Sequence, residues 1–217
     1  MHGLPGNERN LDLAQAIRRA GWDVLTFTYR GAWGSPGDFS IANAMEDTKA
    51  ALEFSRSPGA AKLGIDARHI VLAGHSMGGA TAIMTAAGAK GLDGLILLGA
   101  WNIAVDSRST SRDQLVAGND DFGNALHGAT PQSIADEILK RGRQWDSVEA
   151  ARHLAGLPVL SVSAKYGLAS MNWPVTAALR AAGNRRVTAV EMETDHPFAD
   201  HRIALASTVV RWLQGLR

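Results

Sequence analysis

The stretch that most constrains this chain is Ile70-Val71-Leu72-Ala73-Gly74-His75-Ser76-Met77-Gly78-Gly79. An apolar run of strand type ends at a glycine, passes through one serine and enters a helix of small residues. The glycines around Ser76 leave room for a tight turn and for close helix packing. A serine at such a turn is held in a strained conformation with its hydroxyl exposed. The helix start behind it offers backbone N–H groups and a positive dipole end to developing negative charge. Gly-x-Ser-x-Gly alone is a weak pattern. Between a strand and a helix it is strong, and it makes Ser76 the candidate nucleophile. The plain alternative is a glycine-rich turn in some other α/β fold.

The rest of the chain repeats the same alternation of apolar runs and helix-like stretches. Strands are expected at Trp22–Tyr29, His69–Gly74, Leu92–Gly99, Leu157–Ser163 and Arg186–Met192. Most lack strict alternation, which suits strands covered on both faces. Helices are expected at Asn10–Ala20, Ser40–Ser55, Met77–Ala89, Trp173–Ala182 and His201–Leu216, with Pro174 near the first turn of its helix. The fold class is therefore α/β, a mainly parallel sheet flanked by helices. With 217 residues the chain suits a single domain spanning 1–217. Residues 102–154 separate two strands, carry more charge, and read as helix at Pro131–Lys140 and Asp146–Leu154. So long an excursion reads as a small helical cap; the bland alternative is a lengthened crossover.

Composition removes several functions. Lys plus Arg (22) nearly balances Asp plus Glu (21), so the net charge of +1 points to neither nucleic acid nor an anionic membrane as partner. No apolar run approaches the ~18 residues of a membrane span, and the first residues lack a secretory pattern. Absence of cysteine excludes disulfides, thiolate metal sites and a cysteine nucleophile. A cytoplasmic location is the default expectation.

Four segments together resemble the α/β-hydrolase family, in its serine esterase and prolyl-oligopeptidase-like branch. They are His2-Gly3-Leu4-Pro5-Gly6, Tyr29-Arg30-Gly31-Ala32-Trp33-Gly34-Ser35, the Ser76 elbow, and Thr194-Asp195-His196-Pro197-Phe198. The resemblance implies an oxyanion loop at His2-Gly3, with Met77 and Leu4 giving the backbone N–H donors; Pro5 has none to give. It implies His196 as general base, in the family's order of serine, acid, histidine. The chain has seven histidines; His201 is the lesser candidate base, His75 is read as structural, and His2 as ordering the oxyanion loop. No metal or organic cofactor is implied.

Two departures stand against the resemblance. Where the family carries its aspartate, Ser163-Ala164-Lys165-Tyr166-Gly167-Leu168 has Tyr166. A phenol can accept a hydrogen bond from imidazole but carries no charge at neutral pH. It would orient the ring weakly or push it away, and Tyr166→Asp would raise turnover if position 166 faces His196. Asp106 is the possible replacement acid; Asp195 and Glu193 lie beside the histidine in sequence. The substitution is open to a natural or an engineered origin. The second departure is the start of the chain. Met1 directly precedes the oxyanion loop, so the family's usual N-terminal strands are lacking. A naturally minimal enzyme and a chain lacking its start fit equally. A missing central strand leaves unpaired backbone groups near Trp22–Tyr29, for which rearrangement or a homo-oligomer is a remedy.

The leading reading is a serine hydrolase of small carboxylic esters, acting through an acyl-enzyme on Ser76. The alternatives are a catalytically impaired binding protein on the same fold, motivated by Tyr166 and the short N-terminus, or a peptidase-like hydrolase. Trp33, Trp101, Trp145 and Trp173 are candidates to line a pocket, with ordinary core packing the simpler role for each.

Overall fold

The computed structural model describes residues 1–122 and 125–216. At its centre is a parallel four-stranded sheet in the order β1-β2-β3-β4, comprising Val71–His75, Gly94–Leu98, Val159–Tyr166 and Val187–Asp195. β2 explains why the runs lack polar alternation. Successive side chains of a strand point to opposite faces. Leu95 and Leu97 face a cluster with Leu52, Ile83, Val159, Val175 and Leu179. Ile96 and Leu98 face another with Leu13, Leu160, Val162, Leu205 and Val209. Both faces are covered, so every position of β2 is buried. Each such side chain contributes about 1.5–3 kcal/mol relative to exposure.

The first face is covered by α2 (Ile41–Ser55), α4 (Met77–Gly88), α8 (Ser147–Ala151) and α9 (Ala169–Ala181). The second is covered by α1 (Leu11–Arg19) and α10 (Arg202–Gln214), which also touch each other. The short α3 (Pro58–Lys62) follows α2. α4 lies close to the sheet because its first turn is glycine. A Cβ on Gly78 would come within 2.4 Å of the Met1 carbonyl oxygen, and one on Gly74 within 2.0 Å of the Gly78 oxygen.

Between β2 and β3 run α5 (Ile103–Ser109), α6 (Arg112–Ala117) and α7 (Pro131–Arg141), followed by α8. Ile103, Leu115, Ile134, Ile138 and Trp145 from this excursion share one buried cluster with Tyr29, Ile41, Met77 and Ala80. The excursion is thus packed against the start of the helix that follows Ser76. A buried polar link secures it: Asp146 accepts hydrogen bonds from Asn102 Nδ2 (3.2 Å), Arg108 Nη2 (2.6 Å) and the Val148 N–H (2.9 Å).

Two expectations are corrected. Trp22–Tyr29 joins no ladder among the described residues, so it is not a strand of the sheet. Its residues have strand character, but among the described residues Met1 is what meets the backbone of β1 on the side away from β2. There the Met1 amino group donates to the Ala73 carbonyl (2.8 Å), and the His75 N–H donates to the Met1 carbonyl (3.1 Å). Leu25, in this segment, is 45% exposed. The second correction concerns Pro174, which lies inside α9 rather than in its first turn. The Leu168 carbonyl already accepts from the Met171 (3.0 Å) and Asn172 (3.2 Å) N–H groups, so the helix is under way before the proline. Proline then leaves the carbonyl four residues earlier without its usual donor. No helix among the described residues is long and apolar enough to cross a membrane.

Candidate active site

Ser76 sits between the end of β1 and the start of α4 with φ 56° and ψ −121°. For a non-glycine residue this is a strained backbone, of the kind that costs about 1–3 kcal/mol. Its own backbone is tied down on every side. The Ser76 N–H donates to the Leu98 carbonyl (3.0 Å), and its carbonyl accepts from Gly79 (2.9 Å) and Trp101 (3.0 Å). Its hydroxyl makes no hydrogen bond with the described residues and is not buried. A strained, fixed backbone carrying a free hydroxyl is what a nucleophile at a sharp turn requires.

The loop of residues 2–6 lies against this serine. A Cβ on Gly3 would stand 2.9 Å from Ser76 Cβ and 3.4 Å from its Oγ, so only glycine admits the approach. The N–H groups of Leu4 and Met77 make no hydrogen bond with the described residues. His2 holds the loop: its Nδ1–H donates to the Gly3 carbonyl (2.8 Å), and its ring packs on Tyr29 at 4.6 Å. Burial, the largest influence, pushes the His2 pKa down to about 4. Trp33 braces the far side of the loop, its indole N–H donating to the Pro5 carbonyl at 2.8 Å.

His196 follows β4 and packs against His75, with ring centroids 4.7 Å apart. Its carbonyl accepts a hydrogen bond from His75 Nε2 at 3.0 Å. His196 Nδ1 is buried and has no partner, whereas Nε2 is not buried. Gly99 and Gly167 wall in Nδ1: a Cβ on either would lie 3.2 Å from it. Burial lowers the His196 pKa, and the nearby Asp195 charge opposes that shift.

No carboxylate among the described residues bonds to His196 Nδ1. Tyr166 stands at the end of β3, opposite Asp195 and just past an irregularity in the ladder, but its ring is 64% exposed. Its hydroxyl donates to Glu193 Oε1 (2.7 Å), which also takes Lys165 Nζ (2.7 Å). Tyr166 therefore neither orients nor displaces His196, contrary to both readings of the sequence. A charged acceptor in solvent competes better for a phenol than a buried imidazole does. Asp106 is engaged elsewhere, accepting from Trp101 Nε1 (2.6 Å) and Thr110 Oγ1 (2.9 Å). Asp195 accepts from the Ala199 N–H (2.8 Å). His201 Nδ1 lies 2.9 Å from Asp200 Oδ1. Trp101 and Trp145 are buried, Trp33 is 39% and Trp173 56% exposed.

Three features of this site escape a reading of the sequence: the His75 bond to His196, the Trp33 brace on Pro5, and the glycine walls at 99 and 167. Only the first left a local signal, a histidine next to the elbow serine.

A parallel sheet covered by helices, with a strained serine at a strand–helix turn, a glycine loop against that serine and a histidine beyond the last strand, defines an α/β-hydrolase fold. A family model described as the alpha/beta hydrolase family matches residues 1–215, and the chain belongs to that family. No curated protein matches it. Among solved structures it resembles a Paleococcus ferrophilus monoacylglycerol lipase (TM-score 0.68, 17% identity, covering 97% of this chain and 90% of that one). It also resembles a Thermogutta terrifontis esterase (0.64, 18%, 99% and 88%) and the Pyrococcus furiosus esterase Pf2001 (0.71, 13%, 98% and 78%). At such identities the likeness is one of fold.

Proposed function

We propose that this chain is a carboxylesterase-type serine hydrolase of small carboxylic esters. The observation that carries the reading is the free Ser76 hydroxyl on a strained turn, with the unbonded N–H groups of Met77 and Leu4 on the two segments beside it. In the reaction, Ser76 Oγ bonds to the ester carbonyl carbon as its proton passes to His196. The carbonyl oxygen becomes an oxyanion, met by the Met77 and Leu4 N–H groups. Collapse breaks the bond to the alcohol oxygen, which takes the proton from His196. Water then repeats the sequence on the acyl-enzyme and releases the acid. Every step uses groups of the chain itself. The likeness in fold to a lipase and an esterase supports an ester rather than a peptide bond as target. Residues 102–154 serve as a cap over the acyl pocket, consistent with their shared packing with Met77.

A second reading, an impaired catalyst that mainly binds, is favoured by the unpartnered Nδ1 of His196. A neutralised acid in a serine protease triad costs roughly four orders of magnitude in turnover, a value known from another fold. Parallel assays of short-chain nitrophenyl esters with the wild-type chain and Ser76→Ala separate the two. The expected outcome is measurable wild-type hydrolysis, labelling of Ser76 by a fluorophosphonate, and loss of both in Ser76→Ala at unchanged thermal stability. Retained activity in Ser76→Ala would end the serine-hydrolase reading, and an unlabelled, inactive wild type would leave the binding protein.

A further inference from the structure

His75 lies between Ser76 and the His196 loop. It precedes Ser76 in the chain and is 4% exposed. A carbonyl oxygen can only accept, so the 3.0 Å contact with the His196 carbonyl places the His75 proton on Nε2 and leaves Nδ1 bare. That bare nitrogen is buried without a partner and lies 3.5 Å from the position a Cβ would take on Gly3. The His75 ring also lies along the His196 ring, tilted by 34°, and meets the buried Phe198 at 6.3 Å. Phe198 helps shape the histidine loop, with its own φ at 58°.

Something must hold His196 in place, and the usual device is missing: its Nδ1 has no acceptor. Among the described residues, the contacts made on His196 itself include the glycine walls, which only exclude, and His75, which bonds; Arg202 and Phe198 fix its neighbours in the loop. We propose that His75 is the positioning residue of the acyl transfer assigned above to Ser76 and His196. By donating Nε2–H to the His196 carbonyl and packing ring on ring, it sets where the base stands relative to the nucleophile. It thereby does through the backbone what a carboxylate does through Nδ1. This inference rests on the serine-hydrolase reading. It also explains why a polar ring with one orphaned nitrogen occupies a buried position, where an apolar residue would cost less.

Two near-isosteric variants separate positioning from space filling. His75→Gln keeps an N–H donor within reach of the His196 carbonyl, while His75→Met fills similar volume without one. A misplacement of about 1 Å can cost 10²-fold in rate. The expected result is a fall in kcat of about 10- to 100-fold in His75→Met with KM within about twofold, and recovery to within about fivefold of wild type in His75→Gln. Melting curves establish that both fold; if His75→Met does not, His75→Asn takes its place, because its shorter amide falls short of the carbonyl. Equal kcat in the donor and non-donor variants, whether near wild type or equally low, overturns the proposal. The Ser76→Ala control in the same series identifies the other failure: activity persisting there would remove the reaction that His75 is said to serve.

Discussion

The Ser76 turn is a concentration of constraints on single residues. A backbone at φ 56° persists only where the surroundings over-determine it, and here four backbone hydrogen bonds and the close approach of Gly3 do so. The base is held by exclusion as well as by bonding. A methyl group on Gly167 would fall 3.1–3.2 Å from the Cα, Cβ and Nδ1 of His196, closer than such atoms settle without displacement. Gly167→Ala is expected to lower kcat on nitrophenyl esters about tenfold or more, with the melting temperature nearly unchanged, because the residue sits in a turn beyond β3 and its cost falls on the neighbour's position. Steady-state kinetics and a thermal melt check both halves. The same burial that confines His196 sets its titration. A general base works when deprotonated, and desolvation lowers its pKa from the ordinary 6.5. The acid limb of kcat/KM is therefore expected below pH 6.5, with rates falling as pH drops through it; a limb above 6.5 would show that a carboxylate does face this ring in solution.

At the scale of elements, the outer edge of β1 is unfinished. Alternate backbone groups of the strand face away from β2, and Met1 answers only the Ala73 carbonyl and the His75 N–H. Among the described residues, Asp23–Tyr29 joins no ladder. Open edges with apolar neighbours recruit other chains. We propose that the chain self-associates through this edge. Sedimentation velocity is expected to show concentration-dependent dimers or larger species, reduced in Leu25→Lys; a monomer across the accessible concentration range would refute it. This edge also marks the limit of what the sequence discloses. The four parallel strands were legible because their apolar runs report burial on both faces, a local property. The elbow at Ser76 and the loop at His2-Gly3 were legible because glycine and strain leave fixed spacings. Whether Trp22–Tyr29 pairs depends on a neighbour elsewhere in space, which its own residues cannot report. Tyr166 misled for a related reason: position in the chain located the end of β3, but the direction of the ring was decided by Glu193 on the adjacent strand.

For the whole molecule, buried Asp146 has its charge paired with Arg108, whereas buried His2 and His75 at the site form no ion pair among the described residues. His2 and His75 are both neutral in the fold, and burial, the leading cause in each, pushes both to about 4. In the unfolded chain each reverts to about 6.5. Between those values the unfolded state binds protons that the folded state refuses, so stability rises with pH there and falls as pH drops from 6.5 toward 4. Each histidine contributes up to about 1.4 kcal/mol per pH unit within that window. The effect is specific in place as well as in pH. His2 anchors the proposed oxyanion loop through Gly3, and His75 bonds the His196 carbonyl. Protonating either ring adds a proton to a buried nitrogen that now lacks any acceptor, His2 Nε2 in one case and His75 Nδ1 in the other. Urea denaturation at fixed temperature is accordingly expected to give unfolding free energies that fall from about pH 8 to 6, where burial holds the Met1 amino group down to about 6, and decline further between pH 6.5 and 4 through the two histidines. His75→Gln, which cannot titrate, should flatten that decline by roughly half. A slope unchanged in this variant would mean that other groups govern acid stability and that His75 is solvated well enough to carry its proton in the fold.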